Sequence, residues 1–272
     1  MLTLFSVPKS FEGKYIHIQE NAIKSWLKSI HPRPEILLLG NEKGAREICR
    51  KLNIVHISNI NTNRFGTPLL DDIFKKASSR ASNRIMVYIN SDIIVSENLD
   101  VIIHKVISTK KPFLATGRRY EMMINSPINF DDRGWRGKFI KQCNQHNLKN
   151  SAWLDYFIFP KFMFSDIPPF ALGRTFWDKW LVWKAHSSHY PVIDLTEKLH
   201  PIHQSHGYDY GLNSTSKIWE GEEALENIRL AGGWSHGMDL DSVFQNNTYS
   251  LTHILKKIVD RAPCTWPTLI FA

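Results

Sequence analysis

The stretch "IMVYINSDIIV" (residues 85–95) places three polar side chains, Asn90, Ser91 and Asp92, inside an otherwise apolar run. A buried carboxylate is costly unless it is paired, which disfavours one continuous buried strand. A strand that ends near Asn90 and passes into a turn leaves no unpaired buried charge. Asp92 would then lie at the carboxyl edge of a sheet, where ligands of open α/β sheets bind.

Apolar runs of strand length recur through the first 117 residues and alternate with helical patterns. The predicted strands cover residues 2–7, 35–40, 54–58, 84–89 and 112–117. The predicted helices cover residues 14–30, 43–52, 68–79 and 97–107. This alternation predicts a mostly parallel, Rossmann-like α/β sheet with helices on both faces.

The chain changes character after residue 117. Residues 118–150 are polar, residues 151–195 are rich in Trp and Phe, and a last helix is predicted over 222–231. Dense aromatic residues are typical of a second core or of the wall of a ligand cleft. We therefore predict one compact unit with a first lobe of residues 1–117, a second lobe of residues 118–231, and a carboxyl-terminal extension of residues 232–272.

Composition narrows the classes of protein that fit. Cys49, Cys143 and Cys264 are scattered without a CxxC pair, which predicts buried thiols and neither a disulfide framework nor a zinc knuckle. The chain shows no membrane-spanning run of about 18 apolar residues and no signal-peptide pattern at its start. These features predict a cytoplasmic protein.

The formal net charge of +8 favours an anionic partner such as a phosphorylated substrate, a nucleic acid or a membrane surface. The basic residues are interleaved with acids, and no nucleic-acid-binding motif is present. We therefore predict no specific nucleic-acid binding, while peripheral membrane contact stays open.

The chain lacks the glycine-rich loops that often hold phosphates. The first predicted strand leads into "SVPKSF" and the second into "GNEKGA", and neither matches GxGxxG or GxxxxGK[ST]. A divalent metal ion on carboxylate oxygens is the obvious substitute, since Mg²⁺ and Mn²⁺ commonly join one or two carboxylates to substrate phosphates. Asp92 at the end of a strand suits that role.

The element order, the segment "FGTPLLDDIFKKA" (residues 65–77) and the acidic motif after the fourth strand resemble nucleotide-sugar glycosyltransferases of the GT-A fold, family 2-like. In that family an Asp-any-Asp motif holds Mn²⁺ or Mg²⁺ against the diphosphate of the sugar nucleotide. The matching residues here are Asn90, Ser91 and Asp92, so an uncharged amide replaces the first acid. The resemblance implies a nucleoside diphosphate sugar as donor, a glycan or other hydroxyl compound as acceptor, and Asp92 as a metal ligand.

The segment "GRTFWDKWLVWKA" (residues 173–185) resembles the acceptor side of inverting GT-A enzymes. Asp178 matches the acid that takes the proton from the attacking hydroxyl group. Walls formed by Trp177 and Trp180 would limit water around this carboxylate and raise its pKa. The alternative is a helix-capping Asp beside core tryptophans, in which case a retaining mechanism is equally open.

Two histidines, His203 and His206, lie three residues apart in "HPIHQSHGYDY" (residues 200–210), on a predicted loop. The resemblance implies that one of them completes the metal or pyrophosphate site, while ordinary surface-loop histidines are the alternative. The same resemblance implies further donor-site residues. They are Val7, Pro8 and Lys9 after the first predicted strand, Arg64 and Gly66 before the third predicted helix, and Arg118 after the fifth predicted strand.

Two further charged residues, Arg119 and Asp155, are candidates for the cleft. Arg119 follows Arg118 directly, so that a positive pair could offset a diphosphate or an anionic acceptor. Asp155 stands in the apolar segment "WLDYFIFP", where an unpaired buried acid is unfavourable, and we expect it to face the cleft.

Two other functions keep the α/β fold. A sugar-phosphate nucleotidyltransferase would carry a glycine-rich loop after the first strand, but no glycine precedes Gly13. A non-catalytic, glycosyltransferase-like binding protein is favoured by Asn90, which stands where the metal motif has its first acid.

Overall fold

The computed structural model describes residues 2–107, 112–143, 148–206 and 218–246. The strands are β1 (Leu2–Ser6), β2 (Glu35–Leu39), β3 (Val55–Ile57), β4 (Ile85–Ile89), β5 (Ile93–Ile94), β6 (Leu114–Thr116), β7 (Tyr120–Met122), β8 (Tyr156–Pro160), β9 (Val192–Asp194) and β10 (Ile202–Gln204). The helices are α1 (Tyr15–Ser29), α2 (Ala45–Leu52), α3 (Leu70–Arg80), α4 (Leu99–Ile107), α5 (Trp135–Cys143), α6 (Trp177–Ser187), α7 (Glu222–Ala231) and α8 (Leu240–Asn246), with a 3₁₀ helix over Trp234–His236.

Seven strands form the central sheet, in the order β3-β2-β1-β4-β8-β6-β9. Strand β8 runs antiparallel to both β4 and β6, whereas the other pairs in the sheet are parallel. The predicted mostly parallel α/β sheet is therefore confirmed. Strands β8 and β9 come from the predicted second lobe and pair with β4 and β6 of the first, so the two lobes share one sheet.

Alternating side chains of the sheet feed two apolar layers, one on each face. On one face Leu4 and Val87 belong to a core that includes Trp26 of α1. On the other face Phe5 and Tyr88 belong to a core that includes α3, α6 and α7. Helices therefore cover both faces of the sheet, as predicted. A functional site can then form at an edge of the sheet where the strands end.

A second sheet of three strands, β5, β10 and β7, lies next to the carboxyl end of β4. Strand β10 pairs antiparallel with β5, where His203 lies opposite Ile93, and parallel with β7, where His203 lies opposite Glu121. The prediction of a loop around His203 is therefore wrong. Ile202 is fully buried, and it and its neighbours pair with β5 and β7. The polar segment after residue 117 likewise contains β7 and α5.

Several smaller predictions are also resolved. Helix α7 covers the predicted residues, and Gly232 follows it with φ +93°, the left-handed conformation typical of a helix end. Cys49 and Cys143 are buried free thiols, and burial raises the pKa of each to about 12, whereas Cys264 lies outside the described residues. Of the predicted extension, residues 232–246 are described. Within the described part of the chain, every helix is too short or too polar to cross a membrane.

Candidate active site

A cavity of about 560 Å³ opens at the carboxyl ends of β1 and β4. Its wall is built from the segments that follow these two strands and from the segment that precedes β8, which begins at the same edge because it runs antiparallel. The start of α6 also lines the cavity, as do two histidines, one in β10 and one just after it. Ligands of open α/β sheets bind at this edge.

Asp92, His203 and His206 converge inside this cavity. The Oδ2 atom of Asp92 lies 3.0 Å from Nε2 of His206 and 3.4 Å from Nε2 of His203. Ligand atoms from the three side chains all lie within 4.8 Å of one another. The other oxygen of Asp92, Oδ1, is buried and has no hydrogen-bond partner among the described residues. A carboxylate with an unsatisfied oxygen beside two imidazole nitrogens fits a divalent metal ion.

Opposite charges hold this cluster together. Burial alone would raise the pKa of Asp92, but contacts with His203 and His206 hold it well below its usual range. Burial would lower the pKa of His203, but its contacts with Asp92 and Glu121 raise it to about 9. Oε1 of Glu121 lies 2.9 Å from Nδ1 of His203 and so orients the ring with Nε2 toward Asp92. Sequence patterns alone did not single out Glu121.

Asn90 has partners outside the cluster of Asp92, His203 and His206. Its Oδ1 accepts a hydrogen bond from the Tyr88 hydroxyl at 3.0 Å, and its Nδ2 donates to Oδ1 of Asp155 at 2.7 Å. Nη1 of Arg119 donates to the other oxygen of Asp155, also at 2.7 Å. An acid at position 90 would face Asp155 with a like charge. This contact gives a physical reason for the amide that replaces the first acid of the Asp-any-Asp motif.

Gln19 of α1 joins the two loops that flank the cavity. Its amide group accepts from the backbone nitrogen of Lys9 at 2.7 Å and donates to the Lys9 carbonyl at 3.0 Å. The same Oε1 accepts from the Ser91 hydroxyl at 2.9 Å. Gln19 is buried in the structure, and no motif in the sequence around it indicated a functional residue.

Asp178 is the second residue of α6 and faces the cavity. Burial raises the pKa of this carboxyl group to about 6, and the negative charge of Asp155 contributes in the same direction. Its Oδ1 accepts a hydrogen bond from the backbone nitrogen of Lys179 at 2.9 Å. Trp177 lines the cavity beside it, whereas Trp180 packs on Phe170 in the core, so only one of the two predicted tryptophan walls is present.

The structure brings most of the predicted donor-site residues into one wall. They are Val7, Pro8, Lys9, Gly66, Asn90, Ser91 and Asp92. Gly66 adopts φ +80°, in a turn whose backbone closes on Asn63.

Two predicted residues point elsewhere. The exposed guanidinium group of Arg64 pairs with Glu222, and the half-buried guanidinium group of Arg118 pairs with Asp241 at 2.8 Å. Arg119, the neighbour of Arg118, lines the cavity instead. Adjacent side chains leave the backbone in different directions, which is why one residue of the pair faces the cavity and the other does not.

No family model matches this chain, and no curated protein matches it. Among solved structures, S. aureus TarS residues 1–349 in complex with UDP-GlcNAc superposes with a TM-score of 0.54 and 16% identity, over 96% of this chain and 72% of that chain. The same TarS segment in complex with UDP gives a TM-score of 0.52 and 15% identity, over 96% and 71%. A longer TarS structure gives 0.52 and 14%, over 96% and 43%.

The chain therefore has the GT-A fold of nucleotide-sugar glycosyltransferases, as the sequence resemblance implied. At these identities the similarity is one of fold.

Proposed function

We propose that this protein is a glycosyltransferase that moves a sugar from a nucleoside diphosphate to a hydroxyl acceptor, with inversion and with a divalent metal ion. The observation that carries this proposal is the shared cavity, in which the cluster of Asp92, His203 and His206 faces the same space as Asp178. The UDP-GlcNAc and UDP complexes of TarS support a nucleotide-sugar donor.

Asp92, His203 and His206 would hold the metal ion. When bound, a divalent ion such as Mn²⁺ or Mg²⁺ supplies positive charge to the departing diphosphate. Glu121 keeps the His203 ring in place, and Asn90 stays engaged with Asp155. Two imidazole ligands thus stand in for the missing first acid of the motif.

Asp178 would act as the general base. The acceptor oxygen forms a bond to the anomeric carbon of the donor sugar, and the bond from that carbon to the diphosphate oxygen breaks. The hydroxyl proton passes to a carboxylate oxygen of Asp178, whose raised pKa makes it a better proton acceptor than an exposed Asp. A single displacement of this kind inverts the anomeric configuration.

A panel of sugar nucleotides, incubated with the protein and Mn²⁺ or Mg²⁺, tests this proposal. We expect slow hydrolysis of one donor, with release of its nucleoside diphosphate, measured by ion-exchange chromatography. A non-catalytic binding protein would bind a donor without turnover. A nucleotidyltransferase would instead release a sugar phosphate when pyrophosphate is supplied.

A further inference from the structure

Two tryptophans form part of the cavity wall and have no role in the donor site described above. Trp153 and Trp219 meet edge to face, with ring centroids 6.1 Å apart. Trp219 remains 45% exposed although it lines a concave surface. Such exposed aromatic area within a cavity is typical of a surface that receives a ligand.

A backbone contact links Trp219 to the segment that leads to Asp178. The backbone nitrogen of Thr175 donates to the carbonyl of Ile218 at 2.9 Å, which fixes the residue before Trp219 against the segment that leads into α6. Thr175 itself lines the cavity, three residues before Asp178. Trp219 therefore lies next to the segment that leads to Asp178, the group that takes the hydroxyl proton in the proposed reaction.

The arginines of this wall are already engaged with acids. Arg119 stacks on the Trp153 ring, 4.7 Å from its centroid, and binds Asp155 and Glu121. Arg174 pairs with Glu223 at 2.6 Å. Asp155 and Asp178 also line this space, so a negatively charged acceptor would meet like charges there.

We infer that Trp153 and Trp219 form the acceptor site, and that the acceptor is a neutral saccharide whose apolar ring face packs on these indoles. The C–H groups on one face of a pyranose ring match the indole surface, while hydroxyl groups at the ring edge reach Asp178. This inference rests on the proposed function, because it assigns the acceptor for that reaction.

Ligand-observed saturation-transfer NMR on the full chain, with UDP and Mg²⁺ present, tests the inference. The probes are the methyl β-glycosides of glucose, galactose and N-acetylglucosamine, compared with glucose 6-phosphate and glycerol 3-phosphate. We expect at least one neutral glycoside to bind more tightly than either phosphate. Trp219→Ala should weaken that binding roughly tenfold, the scale of losing one aromatic anchor.

Two variants serve as controls. Trp219→Phe keeps an aromatic face and should retain most of the glycoside affinity. Trp234→Ala removes an exposed tryptophan outside the cavity and should leave the glycoside affinity unchanged. The inference is overturned if no neutral glycoside binds, if a phosphate compound binds more tightly, or if Trp219→Ala binds like the wild type.

Calorimetric titration of the same samples with UDP separates this inference from the proposed function. Glycoside binding without UDP binding would support the acceptor site on Trp153 and Trp219 and contradict the nucleotide-sugar donor. UDP binding without glycoside binding would support the nucleotide-sugar donor and contradict the acceptor site.

Discussion

Asp92 is the residue that the two histidines share. Asp92→Ala removes the carboxylate from the proposed metal site, so we expect turnover of the donor to fall by at least roughly a hundredfold, the scale of one strong electrostatic group. Asp131→Ala, which removes an exposed acid outside the cavity, is the matched control. Near-normal turnover of the Asp92 variant, with an unchanged response to metal, would show that the site lies elsewhere.

Replacing Asp178 should affect the chemical step and not the binding of the donor, unlike replacing Asp92. Asp178→Asn keeps the shape of the side chain and removes only the proton acceptor, so transfer should be abolished while UDP affinity stays nearly intact. Folding raises the pKa of this acid from 3.8 to about 6, so the free energy of unfolding falls as the pH rises between these values and stays lower above pH 6. In a melting experiment at pH 7, the Asn variant should therefore have the same Tm as the wild type or a higher one. A lower Tm with normal catalysis per folded molecule would make Asp178 a structural residue.

The pH dependence of transfer follows from the same group. The pKa of Asp178 is raised to about 6, and only its ionised form accepts a proton. We expect kcat to decline tenfold per pH unit below about pH 6 and to level off above it, in an initial-rate profile at saturating donor. A rate that is level from pH 5 to 7 would exclude Asp178 as the base. The residual hydrolysis of the Asp178→Asn variant should lack this inflection.

Helix α1 carries buried polar side chains on the face toward the cavity loops. Gln19 binds Lys9 and Ser91, while Ser25 and Ser29 bind the backbone of Val95. The helix thereby ties the loop after β1 to the turn after β4. Such buried contacts fix geometry, because leaving the partner groups unsatisfied is costly.

Gln19→Leu should therefore weaken UDP binding roughly tenfold, since the two loops that flank the cavity lose their common anchor. Calorimetric titration measures the affinity. Ser91→Ala removes one of the three hydrogen bonds of Gln19 and should cause a smaller loss of UDP affinity. Gln142→Leu, on the exposed side of α5, should cause no loss. Equal UDP affinity in the Gln19 variant and the wild type would mean that the loops hold their positions without it.

Local patterns predicted the elements near β4 well. The apolar run and its polar interruption lie within eleven residues, so strand, turn and Asp92 follow from neighbours in sequence. Strands β7 and β10 did not follow, because β10 pairs with residues far away along the chain: His203 lies opposite Ile93 of β5 and opposite Glu121 of β7. The role of Asn90 was hidden for the same reason, since its partner Asp155 comes from the segment before β8.

At the scale of the whole molecule, the sheet order explains why distant segments meet. Strand β1 lies beside β4, and β8 returns antiparallel on the other side of β4. The loop after β1, the turn after β4 and the segment before β8 therefore share one edge of the sheet. The small sheet adds His203, and α6 adds Asp178, so that the cluster around Asp92 and the carboxyl group of Asp178 face one cavity.

The central claim is that this cavity holds a nucleoside diphosphate through a metal ion on Asp92, His203 and His206. Calorimetric titration with UDP, with and without Mn²⁺, tests it most directly in the wild type and in the His203→Ala, His206→Ala double variant. His200→Ala, whose ring pairs with Glu97, is the control. We predict that Mn²⁺ strengthens UDP binding to the wild type and to the control by at least about tenfold, and not to the double variant. UDP binding that is absent, or that ignores Mn²⁺ in all three proteins, would contradict the account.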